Sequence, residues 1–429
     1  MQPTSRTGLR LAFVTGLLLA FLSVGTPGVH GGTFPGVNGL LAFSSDRASA
    51  GSAEVYTMNA DGTGVTQLTD AAGQSRYPSW SPDGTRIVFG SSRDGNWEIY
   101  VMNADGSGQT RLTFDAAEDA SPSWSHDGTK IAFVSYRTTA GNPTGDSEIF
   151  VMNADGSGLT QLTDNLVADA GPSWSPNGNR IAFDRDAAGP SEIWVMKPDG
   201  SAQTQLTFNA GTQDVQASWS PDGGMIVWTR DFGGCSSADV QRMDADGTDQ
   251  APFICRGGHD SDGSYGPDGT RVAFVGFDGD HEVYIRDADG LSNETKLTDN
   301  SAFDGDVDWQ PLSNYDFVGF FAPINGLPTL NRVKAGAAVP VKFSLNGDYG
   351  LDIFTAGYPK SLAIACDSGG SVDGIEDTVT AGSSGLSYDT ASDTYTYVWK
   401  TSKGWKGTCR QLNVKLDDGT SYYANFMFT

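Results

Sequence analysis

The chain has 429 residues, 18% of them charged and 38% hydrophobic, with 55 glycines and four cysteines. Its formal net charge is −25, and residues 32–311 carry 41 acidic against 16 basic side chains, so the acidity belongs to that part alone. Such a surface repels phosphate backbones and anionic lipid, which excludes nucleic acid as a partner and suits cations, basic groups or plain solubility. Long apolar helical stripes are lacking and turn dipeptides abound, so the composition points to an all-β chain.

Residues 1–31 read as a secretory signal. Arg6 and Arg10 precede the apolar run "LAFVTGLLLAFLSV" (Leu11–Val24), and small residues follow. The run is too short for an ordinary membrane span, so no stable span is expected after cleavage. The exported product is expected to be a monomer, released or held in the cell envelope. Export also makes the four cysteines bridges rather than reactive thiols, with Cys235–Cys255 and Cys366–Cys409 the expected pairs.

From residue 38 two phrases alternate. One is "PSWSPDG" at Pro78, repeated as "PSWSHDG" at Pro122, "PSWSPNG" at Pro172 and "ASWSPDG" at Ala217, and decaying to "GSYGPDG" at Gly263 and "VDWQPLS" at Val307. Its aromatic residues, Trp80, Trp124, Trp174, Trp219, Tyr265 and Trp309, are spaced by 44, 50, 45, 46 and 44. The other phrase is "EIYVMNADGSGQTRLT" (Glu98–Thr113) and its copies at Glu148 and Glu192. One period holds four strands. The first is the segment around "PSW", the second "RIVF" or "KIAF", the third "EIYVM" and the fourth "TRLT". Asp-Gly turns join the first to the second and the third to the fourth. A period in the mid-forties built from short strands predicts propeller blades. The first complete first-strand comes only after the first second, third and fourth strands, so Asp306–Gln310 is expected to pair with Leu40–Phe43 and close a ring of six.

The pattern "W-S-P-D-G … I-A-F … I-Y-V-M-N-A-D-G … L-T" resembles the PD40, or TolB-like, six-bladed propeller, over residues 38–311. The resemblance implies the fold and a binding role. Neither the α/β domain nor the hydrolase domain that relatives carry fits in this chain.

Residues 312–429 read as a small Ig-like antiparallel β-sandwich, with strands at "AVPVKFSL", "SLAIAC", "TYTYVWK", "CRQLNVKL" and "TSYYANFMF". Residues 339–361 resemble the PxKF module of bacterial secreted proteins, which implies a fold and no defined task.

Catalytic signatures are missing. There is no G-x-S-x-G, H-E-x-x-H or C-x-x-C. Of the four histidines, His126 replaces the proline of a turn and reads as solvated, and His259 and His281 read as polar loop surface. The turn aspartates have a sufficient structural reason. A third set does not: Asp119, Asp169, Asp214, Asp260 and Asp304 each lie five residues before the aromatic of the first strand, and Ser75 takes that place in the remaining repeat. These positions predict carboxylates at one mouth of a central channel. They either cap their own connections or form an acidic ring for a basic group or cation. Asp306 and Asp308 extend Asp304 into a triplet for which calcium is the candidate ion. The reading is an exported non-enzymatic scaffold that binds a protein or cell-envelope ligand through this loop face. Its rival is a glycosidase or lyase with a carboxylate pair at the mouth.

Overall fold

In the computed structural model the described residues are 33–429, apart from 50, 141, 144, 187–188, 210, 232–237, 291–292, 314, 316, 328, 347–350, 352, 356–357, 365, 367–385 and 417–419. The expected signal lies outside them. The chain folds almost wholly into β-strands, which form eight four-stranded sheets, six of them in residues 37–312. The helical segment among the described residues is the single 3-10 turn Lys403–Trp405. No described helix is long and apolar enough to cross a membrane.

Five of the six sheets take four strands in chain order, as in Ser75–Trp80, Arg86–Ser91, Glu98–Asn103 and Thr110–Arg111. The remaining sheet is assembled from both ends. Asp304–Leu312 pairs antiparallel with Val37–Ser45, with Leu41 opposite Trp309 and Ala42 opposite Asp308. The first strands touch in cyclic order, the last returning to the first, so they form the inner wall of a ring. Apolar clusters fill the spaces between neighbouring sheets, and Trp80, Trp124 and Trp219 are fully buried there. Neighbouring sheets thus bury each other's faces, which a lone sheet cannot do.

The fourth strand departs from expectation. It pairs over two residues in five sheets, as in Thr66–Gln67 and Thr160–Gln161. The reason is the threonine that follows. Thr69 Oγ1 accepts a hydrogen bond from Val55 N at 2.8 Å, and Thr113 Oγ1 one from Ile99 N at 2.9 Å. A side chain there replaces the next ladder bond, and an edge this short presents little template to another strand.

Residues 319–428 form two sheets around one core that includes Phe343, Tyr395, Trp399 and Phe426. The expected all-antiparallel pairing is not what the chain adopts. Leu330–Val333 runs parallel to Asn425–Phe428, because a long connection lets Leu330–Val333 return beside the last strand in the same direction. The Cys366–Cys409 disulfide, with Cα atoms 5.2 Å apart, joins the end of Lys360–Ile364 to Cys409–Lys415. Cys255 is also disulfide-bonded. Cys235, its expected partner, lies outside the described residues.

The turns that join first to second and third to fourth strands fall on one face of the ring. Across this turn face runs the segment 33–36. Thr33 Oγ1 donates to Tyr265 O at 3.2 Å and Gly36 N to Pro267 O at 3.1 Å, while Phe34 is buried in the cluster of Val88 and Trp124. The C-terminal sandwich seats on the same face, with Tyr423 against His126. The opposite face carries the loops between second and third strands and the starts of the first strands.

Candidate binding site at the loop face of the ring

The five repeated aspartates do start the first strands, but they are not an open acidic ring. All five are fully buried, and each faces an arginine. Arg185 Nε and Nη2 donate to Asp169 at 2.6 and 2.7 Å, and Arg230 Nε and Nη2 to Asp214 at 2.7 and 2.8 Å. Arg47 Nη2 reaches both oxygens of Asp304 at 2.9 Å, and Arg137 Nη2 reaches Asp119 at 2.5 Å. Asp260 has the loosest partner, Arg256 Nη1 at 3.8 Å, and burial raises its carboxyl above the ordinary range. The acidic residues were legible in the repeat. Their counterions were not: for four of the five the arginine sits two or four residues beyond the phenylalanine or tryptophan of the second strand, and for Asp260 it is Arg256, from the connection before it. Where it sits four beyond, a serine two beyond helps hold it: Arg47 Nε donates to Ser45 Oγ at 2.9 Å and Arg137 Nε to Ser135 Oγ at 2.7 Å.

Each guanidinium also lies over one or two aromatic rings of the second and third strands. Arg47 is 5.0 Å from the Phe43 ring and 5.1 Å from Tyr56, and Arg185 is 5.1 Å from Phe183 and 4.8 Å from Trp194. A cation between a carboxylate and two ring faces is held in one place. The asparagines of three connections close the arrangement, as Asn209 Nδ2 does by donating to Asp214 at 2.7 Å.

A further repeated carboxylate escaped the sequence reading. The glutamate that opens the third strand (Glu54, Glu98, Glu148, Glu192, Glu282) is buried in all five sheets that carry it. Thr69, Thr113 and Thr207 donate their hydroxyls to Glu54, Glu98 and Glu192 at 2.5–2.6 Å. The "E … LT" of the repeat was the available signal. Burial pushes the Glu148 carboxyl up to about 7, against the hydrogen bond from Thr163.

The expected Asp304, Asp306 and Asp308 triplet does not converge. Asp304 binds Arg47, Asp306 Oδ2 accepts from Arg76 Nε at 3.0 Å, and Asp308 Oδ2 accepts from Trp80 N at 2.8 Å. Among the described residues no three of His, Cys, Asp and Glu are grouped as metal ligands. The cause is a bulge. The residue three before the aromatic of every first strand is left-handed: Tyr77, Ser121, Gly171, Gln216, Asp262 and Asp306, with φ between 54° and 61°. The register slips there in all six sheets. Such a bulge turns a side chain out of the alternation of its strand.

Three of these residues, Gln216, Asp262 and Asp306, line a cavity of about 50 Å³ with Arg76, Asp231 and two histidines. His259 and His281 are not solitary loop residues. Their rings are 6.0 Å apart, and His259 Nε2 is 3.8 Å from Asp231. Burial pushes the His281 imidazole down, and the neighbouring His259 charge adds to this. Burial works against the Arg76 charge, but Asp306, with Tyr77 and Asp262, outweighs it and keeps the guanidinium protonated. In the neighbouring sheet burial pushes the Asp184 carboxyl up to about 7.

The rim of this face is apolar on one side. Phe114, Leu166 and Phe208 stand at the tips of three successive connections into first strands, and they are 75, 74 and 74% exposed. Exposed Glu118, Asp164 and Asp186 lie among them.

The family model described as PD40, TolB beta propeller domain, matches residues 32–141 and 138–275. Among solved structures the chain is similar to TolB from Acinetobacter baumannii, at 20% identity and a TM-score of 0.55, over 64% of this chain and 67% of that one. Hydrazine synthase of Kuenenia stuttgartiensis gives 14% identity and a TM-score of 0.54, over 91% of this chain and 68% of that one. A chain of a nidogen/laminin complex gives 12% and 0.51, over 64% of this chain and 99% of that one. At these identities the likeness is one of fold. No curated protein matches the chain.

Proposed function

Because this chain belongs to the PD40 family, the TolB beta propeller domain, we propose that it is an exported scaffold that binds a protein or cell-envelope ligand through the loop face of its ring. We read its six sheets as six blades. The observation that carries the proposal is the set of Phe114, Leu166 and Phe208, three large apolar side chains about three-quarters exposed on successive connections of one face. Water does not favour such a set, and three large apolar side chains recurring on successive connections of one face are more than the scattered single ones any surface carries. The scaffold beneath is rigid. Its repeated carboxylates are held by arginines and threonines, which suits positioning of loops more than proton transfer. The turn face is already occupied by segment 33–36 and the sandwich, so a partner approaches from the loop face.

A second reading is an enzyme acting at the mouth. Arg76, Asp231, His259 and His281 around one cavity are groups that acid–base chemistry employs. The two readings separate in one experiment. Binding of the intact chain to cell-envelope preparations is compared with that of Phe114→Asp/Phe208→Asp and of His259→Ala/His281→Ala. The scaffold reading requires the first variant to lose at least tenfold in affinity while the second retains it. Turnover of an oligosaccharide substrate that disappears in the second variant, with binding unchanged in the first, overturns it.

A further inference from the structure

Five of the first-to-second strand turns begin with the same two kinds of residue, serine or glycine followed by a cyclic or aromatic one. Pro82, Pro176, Pro221 and Pro267 hold the second place in four of them, and His126 holds it in the fifth. That single departure coincides with a contact between the two domains. The His126 ring meets the Tyr423 ring edge to face, 5.2 Å between centroids at 82°. Behind it lies the turn of the next sheet, where a Cβ built on Gly178 would fall 1.9 Å from His126 Nδ1. Both ring nitrogens are buried, and neither has a hydrogen-bond partner among the described residues.

An imidazole in this position is tolerated as a neutral ring and penalised as a cation. The ionisable groups around the interdomain cleft are Asp83, Arg86, Asp127, Tyr315, Tyr422 and Tyr423. Among the described residues, the sandwich and segment 33–36 bring no carboxylate to it. Asp83 and Asp127 are engaged in their own turns, where Ser81 and Thr85 hold the first at 2.5 and 2.8 Å and Ser125 and Thr129 the second at 2.7 and 2.8 Å. Arg86 lies over the Trp124 ring at 4.7 Å and adds a positive charge on the same side. Burial holds the His126 imidazole below its ordinary range, and Asp127 opposes this only in part.

We propose that His126 is a pH-sensitive latch: neutral, it seats the C-terminal sandwich on the turn face of the ring, and protonated, it releases it. The sign follows from linkage. The undocked histidine titrates near its ordinary value of about 6.5 and the docked one lower, so docking is fully favoured above that value. As pH falls below it the undocked state takes up a proton that the docked state refuses. The docking constant then drops by up to about tenfold per pH unit until the docked ring also titrates.

The test is small-angle scattering of the intact chain between pH 7.5 and 4.5, with limited proteolysis of the connection 313–318 as a second readout. Wild type is expected to be compact at pH 7.5 and to extend, with faster cleavage, as pH falls below about 6.5. His126→Pro restores the residue of the other turns and is expected to stay compact through the range. His126→Asn, which has no titrating group, serves where the proline variant does not fold. Tyr423→Ala is expected to be extended at every pH. Acid extension that is the same in wild type and in both His126 variants overturns the latch, as does a wild type that stays compact at pH 4.5.

Discussion

Ser75 stands where five other sheets carry aspartate, and Arg93 still reaches it, with Nη2 donating to Ser75 Oγ at 3.3 Å. Arg93 also keeps its place over the Phe89 and Tyr100 rings, at 5.5 and 4.7 Å. The cationic half of the arrangement therefore persists where its anion is replaced by a hydroxyl, and sheet two is the natural control for the others.

Asp169→Ala is expected to destabilise the ring by about 3–5 kcal/mol, because it leaves the Arg185 guanidinium buried without its counter-charge. Ser75→Asp is expected to change stability by less than about 1 kcal/mol, since the new carboxylate meets Arg93 but is itself taken out of water. Urea midpoints of both variants at pH 7 decide it. Equal losses in the two would mean that the pairs do not fix the ring.

Thr207→Val is expected to cost about 1–3 kcal/mol, as it orphans the Ile193 amide and one oxygen of the Glu192 carboxylate, whose other oxygen keeps the Asn209 amide, while Thr207→Ser keeps both bonds and stays close to wild type. If valine is tolerated as well as serine, the threonine is a packing residue and the glutamate finds water.

Asp184 has its carboxyl pushed up to about 7 by burial. A carboxylate raised in the folded state stabilises it below the unfolded value of about 4, and that contribution is lost as pH rises toward 7. Asp184→Asn retains an oxygen for the Gln216 amide, which donates to Asp184 Oδ1 at 3.4 Å. The variant is expected to gain roughly 2–4 kcal/mol over wild type at pH 8 and little at pH 4. Chemical denaturation at the two pH values measures this; a difference that does not grow with pH refutes it.

Cys366→Ala/Cys409→Ala opens a closed segment of 43 residues, for which chain entropy gives about 4 kcal/mol. The loss is expected in the sandwich alone, as a lowered first transition in calorimetry with the ring transition in place. A single shifted transition would show instead that the two domains unfold as one.

Much of the ring was legible in the sequence. The Trp80 to Trp309 spacing set the repeat, and the Asp-Gly pairs set the turns, because both depend on neighbours along the chain. What escaped was whatever joins segments through space. The Asp169–Arg185 pair spans 16 residues and two strands, and the His259–His281 pair forms only when two adjacent connections meet. His126 illustrates the limit most directly. Its turn was readable, yet the reading of a solvated ring failed, since the sandwich that buries it lies some 300 positions downstream.

The six left-handed residues, Tyr77, Ser121, Gly171, Gln216, Asp262 and Asp306, come from one backbone position and have five different side-chain chemistries. For a residue other than glycine that conformation costs on the order of 1 kcal/mol or more, and the ring carries it five times. The identity of these side chains is therefore separable from the aspartates, arginines and threonines that set the geometry. A lineage of such rings can rewrite its central vocabulary, one letter per sheet, without redrafting the grammar that folds it.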